Sequence, residues 1–479
     1  MNPVFSVRNP RTGQNDYSFR IVQPGEIRQT ATDARSAAAD WSAKPPEGRC
    51  AVLAIWRDAL LASRDELVQA LIDDTGRKRE SVLEFDAAVA GLSRWIERSP
   101  ALLVEPPVRN SVVKPMTMTP ASAPLGLVAV ISPWNFPMLL ALIDAIPALA
   151  AGCVVMVKPS EFTPRFVEPL RRTIESVPAL SRVLRFVVGD AQTGAAMIDV
   201  ADAVCFTGSV ATGRVIARHC ADRLIPVFLE LGGKDAAIVL EGADVPRAAR
   251  AIAWGGLANA GQSCLSIERV FVVEAVYAAF VDALVAEVKQ LRLAWPDVDT
   301  GEIGPIIAAR QADLIREQLE DALRRGARVL VGGRIETHGG GLWCQPTVLV
   351  DVHADMRVMT EETFGPLLPV MRCRDAEHAL SLANDTEFGL SGAVFGPREQ
   401  AMALAQRMEC GAVSVNDASL TAIVHDGEKQ AFKHSGLGAS RMGDSSISRF
   451  RRRRMLIENA ALTHDPWWFA ARTPTGPAP

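Results

Sequence analysis

The sequence predicts an α/β protein: two doubly wound parallel-sheet domains plus a small β oligomerisation arm. Three observations predict it. Short apolar runs alternate with helical ones from residue 126, a second α/β stretch follows from about 233, and residues 111–125 carry Val, Met and Thr with little charge. A chain of 479 residues also exceeds one ordinary core, since a domain takes about 100 to 200 residues. Charged residues make up 22% with a net charge of −4, which favours neither nucleic acid nor an anionic membrane as partner. The eight scattered cysteines form no C-x-x-C and no Cys/His cluster, so no metal site and no disulfide framework are expected. That pattern suits a reducing cytoplasm, and Met1–Arg20 lacks the apolar core of a signal peptide.

The elements follow in order. From about 30 to 103, Val52, Ile55, Trp56, Leu60, Val68, Leu71 and Ile72 recur at helical spacing, and the Pro-rich stretch 100–107 ends the helices. Residues 111–125 predict a strand or hairpin leaving the body. Leu127–Ile131, Val154–Val157, Arg185–Val188 and Ala203–Phe206 are each followed by turn residues and a helix, the βαβ alternation of a parallel sheet. In the second stretch strands fall near Ala236–Leu240 and Val270–Val273, with a long helix over Tyr277–Leu293. The apolar segment Phe136–Val157 holds Asp144, Pro147 and Gly152 and reads as buried helix, turn and strand rather than a membrane span. The arginines at 449 and 451–454 read as a solvated or subunit-facing edge, the aromatics Trp467, Trp468 and Phe469 as a contact between subunits, and Thr473–Pro479 as a frayed end. The expected division is 1–103 with 126–232, then 233–430, with 104–125 and 431–479 as the bridging arm and tail.

Ligands of an open parallel sheet bind beyond the carboxyl ends of its strands, and four loops there carry suitable chemistry. In Pro133-Trp134-Asn135-Phe136-Pro137 an Asn amide can donate to an oxyanion. In Lys158-Pro159-Ser160-Glu161 a carboxylate can accept from a ribose diol. In Phe206–Gly213 glycines open a helix whose N-terminus favours phosphate, although the spacing departs from G-x-G-x-x-G. The fourth pairs Glu230, in Glu-Leu-Gly-Gly-Lys, with Cys264, in Gly-Gln-Ser-Cys. A thiol can attack a carbonyl and a carboxylate can activate water to hydrolyse the product. Each residue alone also reads as a turn, surface or core residue.

With Glu361-Glu362-Thr363-Phe364-Gly365-Pro366, these motifs stand in one order along the chain, and from about 30 to 470 the sequence resembles the aldehyde dehydrogenase superfamily. The resemblance implies an aldehyde dehydrogenase-like fold and NAD(P)-dependent oxidation of an aldehyde to an acid. Cys264 would be the nucleophile, Asn135 with the Cys264 N–H the oxyanion donors, and Glu230 the base that hydrolyses the thioester. The cofactor contacts would be Ile131, Ser132, Trp134, Lys158, Ser160, Glu161, Gly189, Gly194, Phe206, Thr207, Gly208, Ser209, Gly213, Leu231, Gly232, Glu362 and Phe364. Glu230 favours hydrolysis over transfer to coenzyme A, and Glu161 favours NAD, with NADP also used by relatives. A homodimer or homotetramer is implied.

The pattern breaks in two places. The Pro-Phe-Gly-Gly of many relatives is replaced before Gly436 by Gln430–Ser435, preceded by a polar loop, Asn416–Lys429, whose charges are read as facing solvent. Asp144 stands where many relatives carry a basic residue. The funnel residues Phe136, Leu140, Ile143 and Ser263 favour an uncharged aliphatic or aromatic aldehyde. A semialdehyde is the rival, with Arg269 equally a candidate for its carboxylate or a structural ion-pair residue, and a catalytically silent member of the fold is the other alternative.

Overall fold

The computed structural model describes residues 3–459, 461 and 467–469. Two parallel sheets form its two bodies. The first has six strands in the order 436–437, 227–230, 203–207, 127–131, 154–158, 184–186, all parallel except the first pairing. Leu127–Ile131 and Val154–Lys158 are buried throughout, which is why they read as unbroken apolar runs rather than alternating ones.

The second sheet has seven strands in the order 328–331, 347–350, 367–373, 267–273, 235–239, 392–395, 413–415, antiparallel only at its first edge. Its two faces have separate cores. Successive side chains of a strand point to opposite faces; accordingly Ala236 and Ile238 enter one core and Ala237 and Val239 the other.

A third sheet forms the arm, in which Arg451–Asn459 pairs along the whole of Met116–Pro124 and Arg109–Asn110 pairs on the far side. The strand expected from 111–125 is therefore there. The stretch between 436 and 450, however, returns to the first body: Gly436 pairs with Glu230, and Ile447 and Phe450 join the first core. The expected tail thus packs as arm only from Arg451 onward.

Local details depart from expectation for physical reasons. The long helix stops at Val288 rather than Leu293, and the helix over Arg79–Leu102 passes through Pro100 before ending. An N-terminal hairpin, Val4–Arg8 with Asn15–Arg20, went unread because its strands are mostly exposed and polar; Phe5 and Phe19 stack across it at 5.5 Å. Trp467, Trp468 and Phe469 are exposed in the single chain, while the frayed end expected at Thr473–Pro479 lies outside the described residues.

Asp144 is not a surface substitution. It is buried in the helix Pro137–Ala150, where its carboxylate accepts from Arg441 at 2.6 Å and from Arg449, and the two guanidiniums hold it below the usual carboxylate range. Arg449 therefore departs from the solvated reading of the arginine run, whereas Arg452–Arg454 are exposed. Removing one member of a buried ion cluster strands the others, so Asp144→Ala is expected to destabilise the fold by about 3–5 kcal/mol in urea unfolding. An unchanged midpoint would contradict this.

Candidate active site

The nucleophile candidate sits just past a sharp backbone reversal. After the helix Val245–Leu257 come Asn259, Ala260 and Gly261 with φ of 55°, 53° and 68°, three successive left-handed residues. A Cβ on Gly261 would lie 2.2 Å from the Gly365 carbonyl oxygen, so only glycine fits there. The Gln262 side chain then locks the loop: it donates to Asn259 O at 3.0 Å and Pro305 O at 3.1 Å and accepts from Ile307 N–H at 2.9 Å. Two residues on, Cys264 faces the cleft. Enclosure by the protein pushes its thiol up to about 12, with the ammonium of Lys429 drawing it the other way.

Asn135 is placed against this loop by buried polar groups from three elements. Its amide Nδ2 donates to Gln262 O at 3.0 Å. Arg77 donates to the Asn135 carbonyl at 3.1 and 2.7 Å and to the Asn259 side-chain oxygen, and lies 3.4 Å from Glu84. Glu84 in turn accepts from Met138 N–H at 2.7 Å and Leu139 N–H at 3.1 Å, satisfying the first turn of the helix that follows Asn135. One amide hydrogen of Asn135 is thus spent on Gln262, and the second is left to donate.

Beside Cys264 opens a cleft of ≈ 580 Å³. All the residues expected to contact a dinucleotide line it except Gly189 and Gly213. Those two act by lacking a side chain: a Cβ on Gly189 would meet the Thr193 hydroxyl at 2.0 Å, and one on Gly213 would meet Leu231 at 2.6 Å. The helix Val210–Asp222 points its N-terminus into the cleft, capped by Ser209, whose hydroxyl accepts from Thr212 N–H at 3.3 Å. Also on the cleft lining, Lys158 pairs with Glu161 at 3.0 Å. A helix N-terminus for phosphate, a carboxylate for a diol and a largely apolar wall are the donor set a dinucleotide requires.

The far wall is held by a second buried network. Glu268 accepts from Lys234 Nζ at 2.8 Å, Thr363 N–H at 2.7 Å and Phe364 N–H at 2.8 Å, and Lys234 also donates to the Thr363 hydroxyl. Between these anchors Glu362 accepts from Gly233 N–H at 3.0 Å, its carboxyl raised by enclosure and by nearby Glu268. A Cβ on Gly232 would strike the Glu362 carboxylate at 2.6 Å. Phe364 meets Trp134 edge-on at 5.3 Å, closing the cleft toward Cys264.

Glu230 ends its strand with no hydrogen bond to its carboxylate among the described residues; its one ion pair there is with Lys429 at 3.8 Å. That corrects the solvent reading of the loop 416–429 for Lys429, which is buried, although Asp426 and Glu428 are exposed as expected. Of the two readings of Arg269 the structure favours the structural one, with carbonyls in place of an ion pair: its guanidinium is buried and donates to the carbonyls of Lys234, Leu382 and Ala383. Phe136, Leu140, Ile143 and Ser263 are each partly buried and do not line the dinucleotide cleft.

The family model for the aldehyde dehydrogenase family matches residues 2–455. The chain belongs to the aldehyde dehydrogenase family. It is 34% identical over 471 residues to 4,4'-diapolycopene aldehyde oxidase of Methylomonas sp, covering 96% of this chain and 87% of that protein. It is 31% identical to a putative succinate-semialdehyde dehydrogenase [NADP(+)] of Mycolicibacterium smegmatis, covering 97% and 92%. Among solved structures, the putative aldehyde dehydrogenase PutA from Anabaena variabilis matches with a TM-score of 0.96 at 49% identity, covering 98% and 100%. Betaine aldehyde dehydrogenase from Staphylococcus aureus, in complex with NAD+, matches with 0.91 at 27%, covering 97% and 94%.

As an aldehyde dehydrogenase, an NAD(P)-dependent enzyme, the chain needs positioning groups that no motif announced: Arg77, Glu84, Asn259 and Glu268. Each is a charged or amide residue outside those motifs, and only the fold shows what it satisfies. Gly304 beside Arg77 and Arg310 on the cleft wall were likewise unread.

Because enclosure pushes the thiol up to about 12, its thiolate fraction should climb with pH well past neutrality. Alkylation of Cys264 by iodoacetamide, followed on its peptide by mass spectrometry, is expected to rise about tenfold per pH unit from 7 to 10. A plateau near pH 8 would contradict the enclosure argument.

Proposed function

We propose that this aldehyde dehydrogenase oxidises an uncharged, apolar aldehyde to its carboxylic acid through a covalent adduct on Cys264. The observation that carries the reading is the placement of Asn135 and Cys264 on one wall of the cleft, joined through Gln262. Cys264 adds to the aldehyde carbon, and the second Asn135 N–H with the Cys264 backbone N–H receives the oxyanion of the thiohemiacetal. NAD(P), when bound in the cleft, would accept the hydride whose loss leaves the acyl group on Cys264 as a thioester. Glu230, whose carboxylate accepts no hydrogen bond among the described residues, then takes a proton from the water that cleaves the thioester.

In the same reading Glu161 with Lys158 clamps the adenosine ribose, and the Ser209-capped helix faces the pyrophosphate. Glu362 holds the nicotinamide ribose and Phe364 flanks the ring. A 2′-phosphate would meet the Glu161 carboxylate, which favours NAD over NADP. Phe136, Leu140 and Ile143 supply the apolar funnel, and the similarity to an enzyme named for a diapolycopene aldehyde supports the apolar substrate class. We divide the chain into a dinucleotide-binding part, 1–103 with 126–232, a catalytic part, 233–430, and an arm and tail. The arm leaves Met455, Leu456 and Ile457 half-exposed, a surface that a homodimer or homotetramer would cover. Among the described residues no helix is long and apolar enough to cross a membrane, and a cytoplasmic enzyme is the reading we adopt.

Turnover of an aldehyde panel with NAD and NADP tests the substrate class; a preference for succinate semialdehyde would overturn it. Cys264→Ala is expected to abolish aldehyde-dependent NADH formation, and Asn135→Ala to lower kcat by about 10²–10³. With Glu230→Gln, roughly one NADH per site should form in a burst and the acyl-enzyme should accumulate. Full steady-state turnover by Glu230→Gln, or a requirement for free coenzyme A, would remove the hydrolytic assignment.

A further inference from the structure

Lys429 is the buried residue whose chemistry the reading above does not use. It is 8% exposed, and its Nζ stands 3.8 Å from Oε2 of Glu230. That separation decides what the ammonium can do. It is close enough to attract the carboxylate and too long for a hydrogen bond, so the lone pairs of Glu230 are left for a water.

The chain invests backbone structure in this placement. The segment that carries Lys429 continues into Phe432–Lys433, paired with Phe388–Gly389, and then Gly436–Leu437, paired with the Glu230 strand itself. Leu231 N–H donates to Ser435 O at 2.8 Å, one residue from the base. Behind the ammonium, Lys429 N–H donates to the Ser440 hydroxyl at 3.2 Å, and Gly443 N–H to His425 O at 3.0 Å closes the loop. The nearby carboxylate of Asp235 is already satisfied by the Ser391 N–H at 3.0 Å and the Ser391 hydroxyl. Among the described residues, Glu230 is the ion-pair partner of Lys429.

We propose that Lys429 is a positioning residue for Glu230, acting chiefly in hydrolysis of the Cys264 thioester. In that step the water oxygen bonds to the acyl carbon and the carbon–sulfur bond breaks. One water proton passes to Glu230 and from there to the departing sulfur, with no net oxidation. The ammonium fixes the direction of the carboxylate without consuming its lone pairs. The inference rests on the assigned roles of Cys264 and Glu230.

The test separates the two steps in single-turnover kinetics of the full-length enzyme with a reactive aldehyde and NAD. NADH formation reports acylation, and acid-quenched mass spectrometry of the Cys264 peptide reports decay of the acyl-enzyme. Lys429→Met also loses the ammonium that draws the Cys264 thiol down, so its acylation is expected to slow by a few-fold at most, while its acyl-enzyme decays about tenfold to a hundredfold more slowly. Lys429→Arg, which keeps the charge, should recover most of the loss at an unchanged melting temperature. Decay at the native rate in Lys429→Met overturns the proposal, as does a parallel fall of both steps or an arginine variant no better than methionine. If the native enzyme forms no acyl adduct on Cys264, the assigned reaction fails instead.

Discussion

The site depends on one buried guanidinium. Arg77 reaches the carbonyl of Asn135, the side chain of Asn259 and the carboxylate of Glu84, and so ties together three pieces of chain that no sheet connects. Each piece has a reason to need it. The helix after Asn135 has unpaired N–H groups that Glu84 satisfies, and the left-handed turn before Cys264 has an amide side chain that must be held. A buried charge is costly unless its partners are fully arranged, so this network is stable in one geometry and penalises others. That geometry sets the Asn135 amide and the Cys264 thiol on one cleft.

A similar device appears on the other wall. Lys234 and Glu268 are buried together, and their hydrogen bonds fix Thr363 and Phe364, which in turn set Glu362. The two networks leave the reactive groups themselves lightly held. Among the described residues Asn135 keeps one N–H and Glu230 its lone pairs, and enclosure favours the thiol form of Cys264. The division of labour is physical: rigid ion pairs behind, uncommitted donors and acceptors in front.

Much of this was legible in the residues. The central strands of the first sheet, 127–131, 154–158 and 203–207, are buried on both faces and so stand out as apolar runs, and the loops at their carboxyl ends carried motifs. What escaped was of a different kind. The N-terminal hairpin is polar and exposed, so its pattern resembles a loop. Arg77, Glu84 and Glu268 act through partners far along the chain, and their chemistry is invisible until the fold brings those partners together. Lys429 and Arg269 show the same limit in opposite directions. A lysine read as solvated is buried beside the base, and an arginine offered for the substrate is spent on three carbonyls.

The account stands on Arg77 holding Asn135 and the Cys264 loop in one arrangement, and Arg77→Lys addresses that claim with the charge retained and the fork lost. In a variant shown by its melting curve to be folded, kcat for aldehyde oxidation should fall by about tenfold or more while the dissociation constant for NAD changes by about twofold at most. A folded Arg77→Lys enzyme with native kcat would contradict the account.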